Sequence, residues 1–140
     1  MEVVCGERES AVKGIVLNSI KFLIQDLKLT NSKYTLLVFF DRGMAKREEI
    51  RGSVAKVGPN ILCMMIDTAL DLERLILTIS HEMVHVKQFA RGHVQTSKRG
   101  AIRYWHGKAV RKKYYDQPWE LEAFGKERIL ANKIFRIISN

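Results

Sequence analysis

Three observations predict an α+β fold. Apolar residues recur at helical spacing over about residues 9–27, 70–91 and 118–137. Short apolar runs bounded by turn residues lie between the first two of these stretches. No linker, internal repeat or low-complexity tract interrupts residues 1–140, so they form one domain. The expected sheet has three to five strands, mostly antiparallel because a hairpin signal joins neighbours.

Residues 1–8 carry no pattern that assigns them structure, and a mobile terminus is the default expectation. From Glu9 to Leu27, the positions Val12, Ile15, Val16, Ile20, Leu23, Ile24 and Leu27 make one apolar stripe. Asn31-Ser32 ends that helix. Tyr34 to Phe40 is too short for a helix and rich in aromatic and aliphatic residues, so it reads as a buried strand, and Asp41-Arg42-Gly43 turns the chain. Arg51–Val57 and Asn60–Ile66 read as two strands around Gly58-Pro59-Asn60, and either could be a sheet edge.

The central helix starts at a capping box from Thr68 or at Asp71 itself, and Gly92 stops it. Leu72, Ile76, Ile79, Met83, Val86 and Ala90 form its anchoring stripe, while Thr78, His81, His85 and Gln88 fall on another. After Gly92, Ala101–Trp105 and Lys108–Lys112 suggest a short hairpin about His106-Gly107. Asp116-Gln117-Pro118 then opens the last helix, with proline where its missing N–H costs nothing.

Composition narrows the class. The longest apolar runs, Leu36–Phe40 and Ile61–Ile66, are far too short to span a membrane, and no signal peptide opens the chain, so a cytoplasmic protein is expected. Cys5 and Cys63 lack CxxC spacing and read as free thiols in a reducing compartment. The net charge of +9 is uneven. No acidic residue falls between Glu82 and Asp116, a segment holding Lys87, Arg91, Lys98, Arg99, Arg103, Lys108, Arg111, Lys112 and Lys113, interleaved with Tyr104, Trp105, Tyr114 and Tyr115. This is a solvated face or a basic rim for an acidic substrate or nucleic acid; no nucleic-acid-binding motif accompanies it.

Chemistry concentrates in His81-Glu82-Met83-Val84-His85. Histidines four apart on a helix share a face and can converge on one metal ion, and the Glu after the first can take a proton from water beside that ion. A catalytic zinc takes three protein ligands. The third must lie downstream, at Glu120, Glu122, His93 or His106. His93 follows the helix end too closely to swing back. Glu120 and Glu122 point about 200° apart, so only one can face the histidines. Glu120 shares its side with Ala123 and Glu127, where a small residue would let two helices approach.

As a set, HEMVHVKQFARG, RYWHGK and DQPWELEAFGKE resemble the minigluzincins, small gluzincin-type metallopeptidases of phages and prophages, and overlap in part with SprT-like domains. The resemblance covers roughly Leu72–Glu127. It implies a small zincin-like domain with an active-site helix, a "glutamate helix", one catalytic zinc and a protein or peptide substrate in a bacterial or phage-infected cytoplasm. It also implies that the third ligand is the Glu of an E-x-x-(Ala/Ser/Gly) motif, which Glu120-Leu121-Glu122-Ala123 matches. SprT-like domains use a third His instead, in a context that His106-Gly107 approximates. Phe124 stands where gluzincins often carry an acidic residue or Asn to orient a ligand, and Glu127 is the substitute on the same side.

On this basis His81, His85 and Glu120 hold zinc, and Glu82 moves a proton from water to the leaving amine. Tyr114, Tyr115 and His106 are candidates to stabilise the oxyanion, and Ile61–Asp67 is a candidate edge for pairing an extended substrate. The alternative function is a zinc-stabilised binding or regulatory domain whose basic surface engages nucleic acid or an acidic protein with little turnover.

Overall fold

Alternation of buried and half-buried residues defines the sheet at the centre of the computed structural model, which describes residues 1–6, 11–98, 100, 102–111 and 116–139. Strand β1 (Glu2–Cys5) leads to helix α1 (Ala11–Asp26), then β2 (Thr35–Asp41), a short α2 (Met44–Glu48), β3 (Gly52–Gly58) and β4 (Ile61–Asp67). These strands form one sheet in the order β1-β2-β4-β3. Helix α3 (Leu72–Ala90) follows, then a second sheet of β5 (Val94–Thr96), β6 (Arg103–Trp105) and β7 (Lys108–Val110), and finally α4 (Pro118–Ser139).

The α+β prediction holds. Three of the five strand pairings are antiparallel, and both partners of β2 run parallel to it. Parallel partners need a long connection, which α1 supplies between β1 and β2. β1 corrects the expectation of a mobile terminus: its four residues pair in register with Thr35–Val38. Such a short strand is stabilised by its neighbour rather than by any pattern of its own. β4 corrects the expected edge, because it lies between β2 and β3; the edges are β1 and β3.

Leu36 and Val38 on β2 align with Leu62 and Met64 on β4, and all four are fully buried with Ile66. They join Val16, Ile20 and Leu23 of α1 and Ile76, Ile79 and Met83 of α3 in one core. Each such side chain contributes about 1.5–3 kcal/mol by leaving water. Two tight loops follow from residue chemistry. Pro59-Asn60 turns β3 into β4 with Asn60 at φ +57°, and His106-Gly107 turns β6 into β7 with both residues at positive φ, as a two-residue hairpin loop of this type requires.

Asp71 is the N-cap of α3; its carboxylate accepts the Arg74 N–H at 2.9 Å. At the other end His93 N–H bonds to Gln88 O and Gly92 N–H to Phe89 O, with Gly92 at φ +70°, a Schellman stop that redirects the chain into β5. Between these ends α3 packs on β3, β4, α1 and α4. Both of its predicted stripes are therefore largely buried, whereas Leu72 at its mouth is 44% exposed. Cys5 and Cys63 are unpaired, on strands separated by β2. Among the described residues no helix is long and apolar enough to cross a membrane.

Candidate metal centre

Helices α3 and α4 run antiparallel. Glu120 at the start of α4 meets His85, while Glu127 and Arg128 further along reach His81 and Glu73 towards the start of α3. The completely buried Ala123 lies at this interface. Proline in the first turn of α4 and the Glu120 and Leu121 N–H bonds to Gln117 O set where that helix begins, and so the height at which Glu120 projects.

His81 Nε2 lies 3.0 Å from Glu120 Oε1, His85 Nε2 lies 2.8 Å from the same oxygen, and the two Nε2 atoms are 3.2 Å apart. The rings meet edge to face with centroids 4.9 Å apart. A tetrahedral zinc with bonds of about 2.0–2.1 Å holds its ligand atoms roughly 3.3 Å from one another, close to these spacings. Two imidazole nitrogens and a carboxylate oxygen are also the donor types such an ion takes. Among the described residues, His81, His85 and Glu120 are the one group of three that could hold a metal ion.

The electrostatics favour a cation. Burial opposes charge on His81, but the Glu120 and Glu127 carboxylates outweigh it and raise its pKa to about 9. Burial likewise opposes charge on His85, and Glu120 overrides it in the same direction. Burial would raise Glu120, yet the two histidines hold it down at about 2. Groups that draw a proton onto His81 this strongly place negative potential where a divalent ion would sit.

Glu82 is 6% exposed, and among the described residues no hydrogen bond or ion pair engages its carboxylate. Burial raises its pKa to about 6, against the pull of His85 and His81. That suits a group that exchanges protons near neutral pH. Strand β3 crosses α3 here: a Cβ on Gly52 would lie 2.8 Å from Thr78 Cγ2 and 3.1 Å from both Glu82 Cγ and Met65 O. Gly52 had no place among the sequence-derived candidates; a glycine opening an edge strand is the one available sign of such a close approach.

The other candidate ligands are engaged elsewhere. Glu122 pairs with Lys87 at 3.2 Å and Lys126 at 3.5 Å. His106 serves the β6–β7 turn and stacks on His93 with centroids 4.3 Å apart. Around the centre, Phe124 packs on the His81 ring at 4.7 Å, and Glu127 Oε2 reaches within 3.7 Å of His81 Nδ1, where an orienting group would act. Gln88 contacts His85 Nδ1 at 2.8 Å; its place on the polar stripe three residues after His85 was the signal for it. Tyr114 and Tyr115 lie outside the described residues.

The basic segment is less uniform than its sequence suggests. Lys87 is buried in its ion pair, Arg91 donates to Leu27 O, and Arg103 lies over the Trp119 ring at 5.3 Å. Lys98, Lys108 and Arg111 are exposed, and Arg99, Lys112 and Lys113 lie outside the described residues. Comparison of the chain with protein-family models, curated proteins and solved structures finds no match.

Proposed function

We propose that this chain is a zinc-dependent metallopeptidase of gluzincin type, as its resemblance to the minigluzincins implies. The observation that carries this is the convergence of His81 Nε2, His85 Nε2 and Glu120 Oε1 within 2.8–3.2 Å, one helix position away from Glu82, whose carboxylate makes no hydrogen bond or ion pair among the described residues. Zinc, when bound, supplies Lewis acidity at a carbonyl and lowers the pKa of water. His81 and His85 contribute neutral nitrogens and Glu120 an anionic oxygen. Glu82 accepts a proton from the attacking water on its carboxylate and returns it to the leaving amine nitrogen.

Substrate is a protein or peptide bound extended along β3, the sheet edge that passes over Glu82 at Gly52. This replaces Ile61–Asp67, whose backbone is already paired on both sides. A zinc-stabilised binding domain would have no use for a carboxylate beside the ligands that makes no hydrogen bond or ion pair among the described residues, and that favours the enzyme over the alternative.

The test is cleavage of an unfolded protein mixture by wild type and Glu82→Gln, with zinc measured in both. The variant should keep its zinc and lose at least about 100-fold in rate, the lower range for a general base. Undiminished cleavage in Glu82→Gln rejects the base. Absence of cleavage in zinc-loaded wild type favours the binding domain.

A further inference from the structure

Beside the three candidate ligands, a side-chain amide joins α3 to α4. Gln88 is 1% exposed. Its Nε2 lies 2.9 Å from Trp119 O and 3.1 Å from Glu122 Oε1, and its Oε1 lies 2.8 Å from His85 Nδ1. A backbone carbonyl and a carboxylate can only accept, so the amide NH2 must face both, which spends its two protons. The amide oxygen is then turned to His85, where only an Nδ1–H can meet it. A buried amide held on three sides has no second orientation that satisfies the same partners.

We propose that Gln88 is a positioning residue that fixes His85 in the tautomer whose Nε2 lone pair faces Glu120 and His81, and so sets the metal affinity of the centre. This rests on the zinc reading above. The orienting group comes from the ligand's own helix and is itself aimed by α4. The carbonyl of Trp119 immediately precedes Glu120 in the chain. A shift of α4 would therefore move the third ligand and the group that orients His85 together. The Glu122 carboxylate adds a second anchor, itself held by Lys87 at 3.2 Å.

The experiment measures zinc affinity by chelator competition in wild type, Gln88→Met and Gln88→Glu, with thermal unfolding of each. Methionine keeps the volume and removes the acceptor; glutamate restores an acceptor towards Nδ1 but sets an oxygen against Trp119 O. Gln88→Met should bind zinc about 10–100-fold more weakly, the usual cost of losing an orienting partner. Gln88→Glu should unfold more easily than wild type yet bind zinc within about threefold of it or more tightly, so that stability and affinity part company. The solvent exchange of the His85 Nδ1 proton, followed by NMR in zinc-loaded protein, should be faster in Gln88→Met than in wild type. Unchanged affinity and exchange in Gln88→Met overturn the proposal, as does loss of affinity in both variants in proportion to lost stability. Should Gln88→Glu not fold, the affinity and exchange of Gln88→Met decide alone. Failure of wild type to bind zinc at all rejects the metal reading itself, a result distinct from a wild type that binds and a Gln88→Met that binds equally well.

Discussion

His81 Nε2 and Glu120 Oε1 lie 3.0 Å apart across the α3–α4 interface, although they are 39 positions apart in the chain. Neither residue type is comfortable there alone, since burial disfavours charge on both. The two helices are thus joined at this level by polar groups that could hold a metal ion between them.

Gly52 sits where the edge strand presses on the helix face bearing Glu82. Gly52→Ala should strain Thr78 and Glu82 and cost about 1–3 kcal/mol of stability, as overpacking does. Cleavage should fall further than zinc content, because the carboxylate moves while the ligands stay. Adding Thr78→Ser removes the methyl nearest the new Cβ and should recover part of the stability. Simple additivity of the two substitutions in thermal unfolding would contradict this contact.

Asp67 ends β4 and accepts N–H bonds from Gly43 and Ala45 at 2.9 Å and Ala69 at 2.8 Å. Burial pushes its carboxyl up, but these three donors outweigh burial and hold it below its ordinary 3.8. The folded value lies below the unfolded one. Its stabilisation is therefore complete above about pH 4 and is lost as pH falls through the folded value. Asp67→Asn, which turns an NH2 towards one of the donors, should cost about 2 kcal/mol at pH 7. Denaturant titrations should show that difference shrinking towards pH 3, and a gap that widens on acidification would contradict this role for the Asp67 carboxylate.

Glu122 separates a structural carboxylate from the one proposed to hold the metal. Glu122→Ala leaves Lys87 buried without its closest partner and should cost about 3 kcal/mol. The protein should nonetheless still bind one zinc. A stable Glu122→Ala that has lost its metal, with Gln88→Met still holding it, would move the third ligand from Glu120 to Glu122.

Local chemistry made much of this legible in the sequence. Asp71 and Gly92 bound α3 as caps do, Pro118 opens α4, and His81 and His85 share a face because helical geometry requires it. The small Ala123 beside Glu120 pointed to the close helix approach. What stayed hidden depends on partners distant in sequence. β1 is a strand because β2 offers it a ladder, and β4 is interior because β2 and β3 both claim it. The Lys87 charge looked like part of a basic rim until α4 brought Glu122 against it. Gln88 was visible on the polar stripe, but its role needs the Trp119 carbonyl, which no periodicity reveals.

The ligand set is tested by the zinc content of purified wild type, Glu120→Ala and His106→Ala, compared side by side with folding checked by circular dichroism. Wild type and His106→Ala should each carry about one zinc per chain, and folded Glu120→Ala should carry little or none. Full zinc in Glu120→Ala, or its loss in His106→Ala alone, would contradict a centre built from His81, His85 and Glu120.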